Sequence, residues 1–164
     1  MVKKILILST AMFMFIGCSP SAPDLNGNMS DTISIDESGE NINTVDGMNF
    51  NSSSDGFVSV YFDFDGYSVV PSMESRVVHN AQTLQKYNGR KVKVEGNCDE
   101  FGTDEYNYAL GLKRAKAIKD ALSDQGVNTS NIVMVSMGES NPVCQDSTDE
   151  CYARNRRVDF HLVK

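Results

Sequence analysis

From residue 56 onward the chain changes its hydrophobic period several times. Between Phe57 and Asp63, Val58, Val60 and Phe62 occupy every second position, which predicts a strand. Pro71-Ser72 can open a helix whose apolar stripe is Met73, Val77, Ala81 and Leu84, and Gly89 ends it. Lys91 to Glu95 reads as a second strand with Val92 and Val94 inward. Thr103 is a suitable N-cap, and Asp104 and Glu105 follow where the helix dipole favours acids. That helix runs to about Gln125, with Gly126 just past its end. Ile132 to Met137 and Arg157 to Val163 read as two more strands. The order βαβαββ predicts an α+β fold, a two-layer sandwich with helices on one mixed sheet. Its βαβ steps imply that some neighbouring strands are parallel.

The N-terminal part has neither period. Lys3 and Lys4 precede an apolar run of 12 residues, Ile5 to Ile16, which suits a secretory leader over residues 1–17. The run is too short for a membrane span of ~20 residues. It ends at Phe15-Ile16-Gly17-Cys18-Ser19, similar to a bacterial lipobox, so Cys18 is the expected lipidation site and membrane anchor. Ser19 in place of Asp after the cysteine implies sorting to the outer membrane. Residues 18–55 are rich in Ser, Asn, Asp and Gly, and read as a flexible, disordered linker. About 37 residues of such chain span roughly 30–36 Å on average. A single folded domain is expected over 56–164.

Charge sharpens this division. The net charge is −7. Seven acids and no Lys or Arg fall between Ser19 and Asp55, so the acidity belongs to the linker and the domain is nearly balanced. No basic face points to nucleic acid. Of the four cysteines, Cys98, Cys144 and Cys151 remain after Cys18. In an oxidising compartment two of them should pair. The short polar stretch between Cys144 and Cys151 favours that pair, while pairing of Cys98 with one of them stays open.

The densest polar cluster is Glu95-Gly96-Asn97-Cys98-Asp99-Glu100-Phe101-Gly102-Thr103-Asp104-Glu105-Tyr106-Asn107, which links a strand to a helix start. Asn107, Leu110 and Arg114 are spaced to share one face of that helix. An aspartate in the loop and an arginine on the helix suit a ligand with both charges, Asp99 accepting from an ammonium and Arg114 holding a carboxylate. A plain salt bridge between the two is the competing reading.

These residues, with Val60-Tyr61-Phe62-Asp63-Phe64-Asp65, Leu110-Gly111, Arg114-Ala115, Gly138-Glu139, Pro142 and Asn155-Arg156-Arg157, resemble the OmpA C-terminal-like family of peptidoglycan-binding domains. With its leader and linker, the whole chain resembles the lipid-anchored branch of that family that works in the Tol–Pal system. The resemblance implies a binding protein rather than an enzyme, with no cofactor. It implies peptidoglycan as ligand, through the diaminopimelate of the stem peptide, and the propeller protein TolB as partner. Asp99 would meet the ammonium and Arg114 a carboxylate. Phe64, Asp65, Asn107 and Leu110 would line the pocket, flanked by Asn155, Arg156 and Arg157. Two positions depart from the family: Phe101 stands where Arg is common, and Gly66 where Lys is common. On this reading Arg114→Ala or Asp99→Ala abolishes binding and leaves the domain folded.

Other chemistry is weaker. Asp63 and Asp65 are too few for calcium. His79 and His161 neighbour no nucleophile. A wall hydrolase using Asp99, Glu100, Asp104 or Glu105 is the alternative, although acids crowded at a helix start are better explained by capping.

Overall fold

The computed structural model describes residues 50–164. The leader, Cys18 and most of the linker lie outside the described residues. In chain order the elements are β1 (Val60–Tyr61), α1 (Glu74–Lys86) after a 3-10 turn at Pro71–Met73, β2 (Val92–Asn97), α2 (Asp104–Asp124), β3 (Ile132–Gly138) after a 3-10 turn at Thr129–Asn131, α3 (Asp149–Asn155) and β4 (Arg157–Leu162). The strands form one mixed sheet in the order β1-β4-β2-β3. β2 and β3 are parallel, and β4 runs antiparallel to both β2 and β1. The helices α1 and α2 contact each other, and α2 lies on β2, β3 and β4.

The expected apolar positions make the core. Val60, Phe62, Met73, Val77, Ala81, Val92 and Val94 join Ala115, Ile118, Leu122, Ile132, Val158 and Phe160 in one buried cluster. At about 25 cal/mol per Å² of apolar surface, such residues supply most of the folding drive. Thr103 caps α2, its hydroxyl accepting from the Tyr106 amide at 3.2 Å. Gly89 and Gly126 adopt left-handed φ of 81° and 78° just beyond the helix ends.

Three features differ from the sequence expectation. The first strand keeps only two residues, because α1 side chains take the backbone groups before it. Asn80 accepts from the Val58 amide at 2.9 Å and donates to the Val58 carbonyl at 2.8 Å, and Arg76 donates to the Ser59 carbonyl at 2.8 Å. Second, a short helix, α3, follows β3 where a polar loop was expected. Thr148 caps it, accepting from the Cys151 amide at 3.2 Å. Third, residues 50–55, read as the end of the linker, are bonded to the domain. The Ser52 hydroxyl donates to Asp159 at 2.6 Å, the Ser54 amide to the Phe160 carbonyl at 3.1 Å, and the Leu162 amide to Asp55 at 3.1 Å. The serines that suggested a linker are hydroxyl partners for the buried Asp159.

Cys144 and Cys151 are joined by a disulfide, and Cys98 is free and buried. The bridge closes a loop of sequence separation 7 onto the first turn of α3. Its reduction is expected to cost about 2–3 kcal/mol. Urea midpoints with and without reductant check this, and equal midpoints would contradict it.

Candidate ligand-binding site

The site begins where backbone meets backbone. A Cβ on Gly96 would fall 1.9 Å from the Gly111 carbonyl oxygen, and one on Gly111 would fall 2.2 Å from Ser136 Oγ. Two glycines therefore let α2 lie directly on β2. One turn further on, Arg114 reaches the strand exit. Because β2 and β3 are parallel, their C-terminal ends emerge together, and the Cys98 amide donates to the Gly138 carbonyl at 2.8 Å. Loops at such ends are the usual place for ligands in sheets of this kind.

Arg114 is 0% exposed. Its Nε donates to the Gly66 carbonyl at 2.8 Å, Nη1 to the Asn97 carbonyl at 2.8 Å and to Cys98 Sγ at 3.4 Å, and Nη2 to the Asp63 carbonyl at 3.3 Å. The guanidinium also lies 5.4 Å from the centre of the Phe62 ring. Among the described residues it has no carboxylate at salt-bridge distance. A guanidinium carries five N–H donors, so four contacts leave one. Burial lowers its pKa, while Cys98, Asp99 and Asp65 raise it and Arg156 lowers it. These groups therefore act on one another across a small volume.

Asp99 is buried, and its carboxylate pairs with Arg156 at 3.0 Å, not with Arg114. Arg156 also donates from Nε to the Phe62 carbonyl at 3.2 Å. Asn107 is buried too; its amide donates to Glu139 and, at 3.4 Å, to the Asp99 carbonyl. Among the described residues its Oδ1 has no hydrogen-bond partner. Leu110 is buried one turn before Arg114 and offers no polar group. Asp65 sits at φ 56° in the turn closed by the Gly66 amide and the Asp63 carbonyl, just beyond the expected strand end at Asp63. Tyr106 donates its hydroxyl to Asp65.

The rim is aromatic. Phe64 is 65% exposed and Phe101 48%. Phe64 meets Phe101 edge-on at 6.1 Å, and Phe101 meets Tyr152 at 4.8 Å. Tyr152 donates to Glu100 at 3.0 Å. Phe101, which departs from the family pattern, thus packs into an aromatic row instead of supplying a charge.

Asp99, Arg114, Asn107, Asp65, Phe64 and Arg156 are brought together at this end of the sheet. Two expected residues are not. Arg157 is buried and turned to Asp159 at 2.9 Å and Ser52 at 2.7 Å. Arg156, the residue between α3 and β4, turns instead to Asp99 and the Phe62 carbonyl, so the two arginines do not flank one pocket. Asn155 instead accepts from the Val143 and Cys144 amides and donates to the Cys144 carbonyl at 2.8 Å, clipping the disulfide loop. The sequence reading did not single out Tyr152, and it named Tyr106 and Glu139 without giving either a role in the site. Parallel pairing of β2 and β3 was the available signal for Glu139, since Gly138 pairs with Asn97 and the next residue falls beside Cys98.

Cys98 donates its thiol to the Asn107 carbonyl at 3.3 Å, and burial pushes its pKa up. Only the thiolate alkylates. The native protein at pH 8 is therefore expected to resist iodoacetamide at Cys98 and to react once unfolded; rapid native labelling, read by mass spectrometry, would contradict this burial.

Comparison with known proteins gives the lineage. Residues 61–156 match the OmpA family. The peptidoglycan-associated lipoprotein of Pseudomonas putida is 36% identical over 161 residues, 96% of this chain and 95% of the relative. The protein of the same name from Pseudomonas aeruginosa is 34% identical over the same shares. The crystal structure of the peptidoglycan-associated lipoprotein from Burkholderia pseudomallei superposes with a TM-score of 0.60 at 43% identity, covering 64% of this chain and 89% of that one. The C-terminal domain of Helicobacter pylori MotB, at 22% identity, has a TM-score of 0.61 over 66% of this chain and 86% of its own; that likeness is one of fold. The match over more than half the chain, and the near full-length relatives, establish that this chain belongs to the OmpA family, alongside the peptidoglycan-associated lipoproteins.

Proposed function

We propose that this chain is an outer-membrane lipoprotein whose domain holds peptidoglycan non-covalently through the diaminopimelate of the stem peptide. In this reading residues 1–17 are a leader removed on export, Cys18 carries the lipid, and the acidic stretch after it is a tether that lets the domain reach the wall. With residues 50–55 bonded to the domain, about 31 residues are left for the tether, which stretched reach on the order of 100–110 Å. The protein then ties outer membrane to cell wall within the Tol–Pal system, with TolB as its protein partner, in envelope integrity and cell division.

The observation that carries the reading is Arg114. A buried guanidinium held by carbonyl dipoles and no carboxylate costs free energy to keep and leaves a positive field at the strand ends. Asp99, of opposite charge, is held at 3.0 Å by Arg156, which meets the same Phe62 that Arg114 lies against. Diaminopimelate brings an ammonium and a carboxylate on one carbon. Its ammonium competes with Arg156 for Asp99, and its carboxylate takes the remaining Arg114 N–H together with the freed Arg156. The turn at Asp63–Gly66 covers Arg114, so binding requires that turn to shift. Relatives called peptidoglycan-associated lipoproteins support the ligand class.

No covalent chemistry belongs to this reading. Asp99 is paired with Arg156, Glu100 accepts from Tyr152, and Asp104 and Glu105 lie in the first turn of α2. Incubation of the full-length protein with purified sacculi tests it. The expected result is co-sedimentation, weakened by Asp99→Asn, with no muropeptide released. Release of muropeptides would favour a hydrolase, and unchanged sedimentation of the variant would remove Asp99 from the site.

A further inference from the structure

A cavity of about 380 Å³ opens between β1, the start of α1 and α3. Phe62, Val70 and Met73 give it apolar walls, and Arg76, Arg154 and Arg156 bring three guanidinium groups. Arg76 is only 2% exposed, with its guanidinium 5.4 Å from the centre of the Tyr61 ring. Among the described residues its Nε is buried without an acceptor, and so is the Nε of Arg154, whose guanidinium lies 3.9 Å over the Phe50 ring. Among the described residues neither arginine has a carboxylate at salt-bridge distance. Asp63 and Glu150 also line the cavity, yet neither engages a cation there.

A buried donor left without an acceptor is costly. Two cationic side chains with no carboxylate partner among the described residues, lining one cavity with apolar walls, favour an anionic group on a small apolar body. The cavity also adjoins the charged cluster. Arg156 lines it and donates to Asp99 at 3.0 Å. Phe62 lines it and lies against Arg114. Asp63 lines it while its carbonyl accepts from Arg114.

We propose that this cavity binds the free carboxylate end of the stem peptide, on the alanine that follows diaminopimelate. The carboxylate accepts from Arg76 and Arg154, and the alanine methyl rests on Val70 and Met73. The inference rests on the proposed diaminopimelate site. It makes the domain selective for stem peptides with a free end over those whose end is consumed in a cross-link, because an amide there has lost the charge.

The test titrates the full-length protein in detergent, by calorimetry, with two synthetic stem tetrapeptides. One ends in a free carboxylate and the other in a carboxamide. Amidation is expected to weaken binding about tenfold or more, the worth of a charge-assisted hydrogen bond. In Arg76→Lys and in Arg154→Ala that gap should close to within about twofold, the carboxamide peptide binding as it does to wild type. Arg154 is only half-buried, so its variant serves where the Arg76 variant fails to fold. Equal affinity of wild type for the two peptides overturns this inference and leaves the diaminopimelate site standing. A gap that persists in both folded variants also overturns it. Binding of neither peptide overturns the site and this inference with it.

Discussion

Replacing Gly96 with alanine is expected to leave the chain unable to hold its native fold. The new Cβ would lie 1.9 Å from the carbonyl oxygen of Gly111 and 2.5 Å from its carbonyl carbon. Both obstacles are backbone, so no side chain can swing aside and α2 must lift off β2. Overpacking in an adaptable core costs about 1–3 kcal/mol. Here a whole helix must move, so a loss above about 4 kcal/mol is expected, a large share of the 5–15 kcal/mol typical of a domain. Thermal unfolding followed by circular dichroism should show a Tm lower by about 15 °C or more, or no cooperative transition. Gly89→Ala is the control. Its Cβ would meet nothing within 4 Å, and only its φ of 81° is strained, which should cost roughly 1 kcal/mol. A Gly96→Ala protein within a few degrees of wild type would contradict the close approach on which the site is built.

Arg114→Leu should lose both stability and binding. The guanidinium satisfies the carbonyls of Gly66, Asn97 and Asp63 and touches Cys98. Leucine takes this donor from the Gly66 and Asn97 carbonyls, while the Asp63 carbonyl keeps the Gly66 amide, at about 1–3 kcal/mol for each acceptor left buried and unpaired. A total loss of about 3 kcal/mol or more follows, read as a shift in urea midpoint. This revises the expectation that Arg114→Ala abolishes binding in an otherwise intact domain. The side chain is a structural clasp as well as a charge, so its loss cannot be read as loss of a ligand contact alone. Arg114→Lys keeps the charge but not the fork geometry, and should fold better than the leucine variant while binding sacculi less than wild type. An Arg114→Leu protein as stable as wild type would mean that the buried clasp contributes nothing.

Most of the scaffold was legible in the sequence because it rests on periodicity and local signals. Val92 and Val94 announce β2 by alternation. Thr103 and Gly126 bracket α2 by capping chemistry. The resemblance around Asp99, Asn107 and Arg114 located the end of the sheet where charges gather. What was illegible depends on tertiary contacts. Nothing local says that Asn80 and Arg76 will replace a strand partner for residues 58 and 59, or that Ser52 will seek Asp159 across more than a hundred residues. The pairing within the cluster is of the same kind. Asp99 and Arg114 are the opposite charges that the sequence places close together, yet Asp99 takes Arg156, because α3 and its disulfide deliver that residue just before β4. Asn155 and Arg157 looked equivalent to Arg156 as neighbours in sequence. Arg157, the first residue of β4, turns to Asp159 and Ser52, and the loop after β3 takes Asn155.

Recognition of an amino acid that carries both charges is tested most directly on the ligand. The full-length protein is titrated with a stem peptide containing diaminopimelate and with the same peptide containing lysine, which keeps the ammonium and lacks the side-chain carboxylate. The account predicts saturable binding of the first, with the second weaker by about tenfold or more. Equal binding of the two peptides would mean that the buried guanidinium at the strand ends reads no carboxylate.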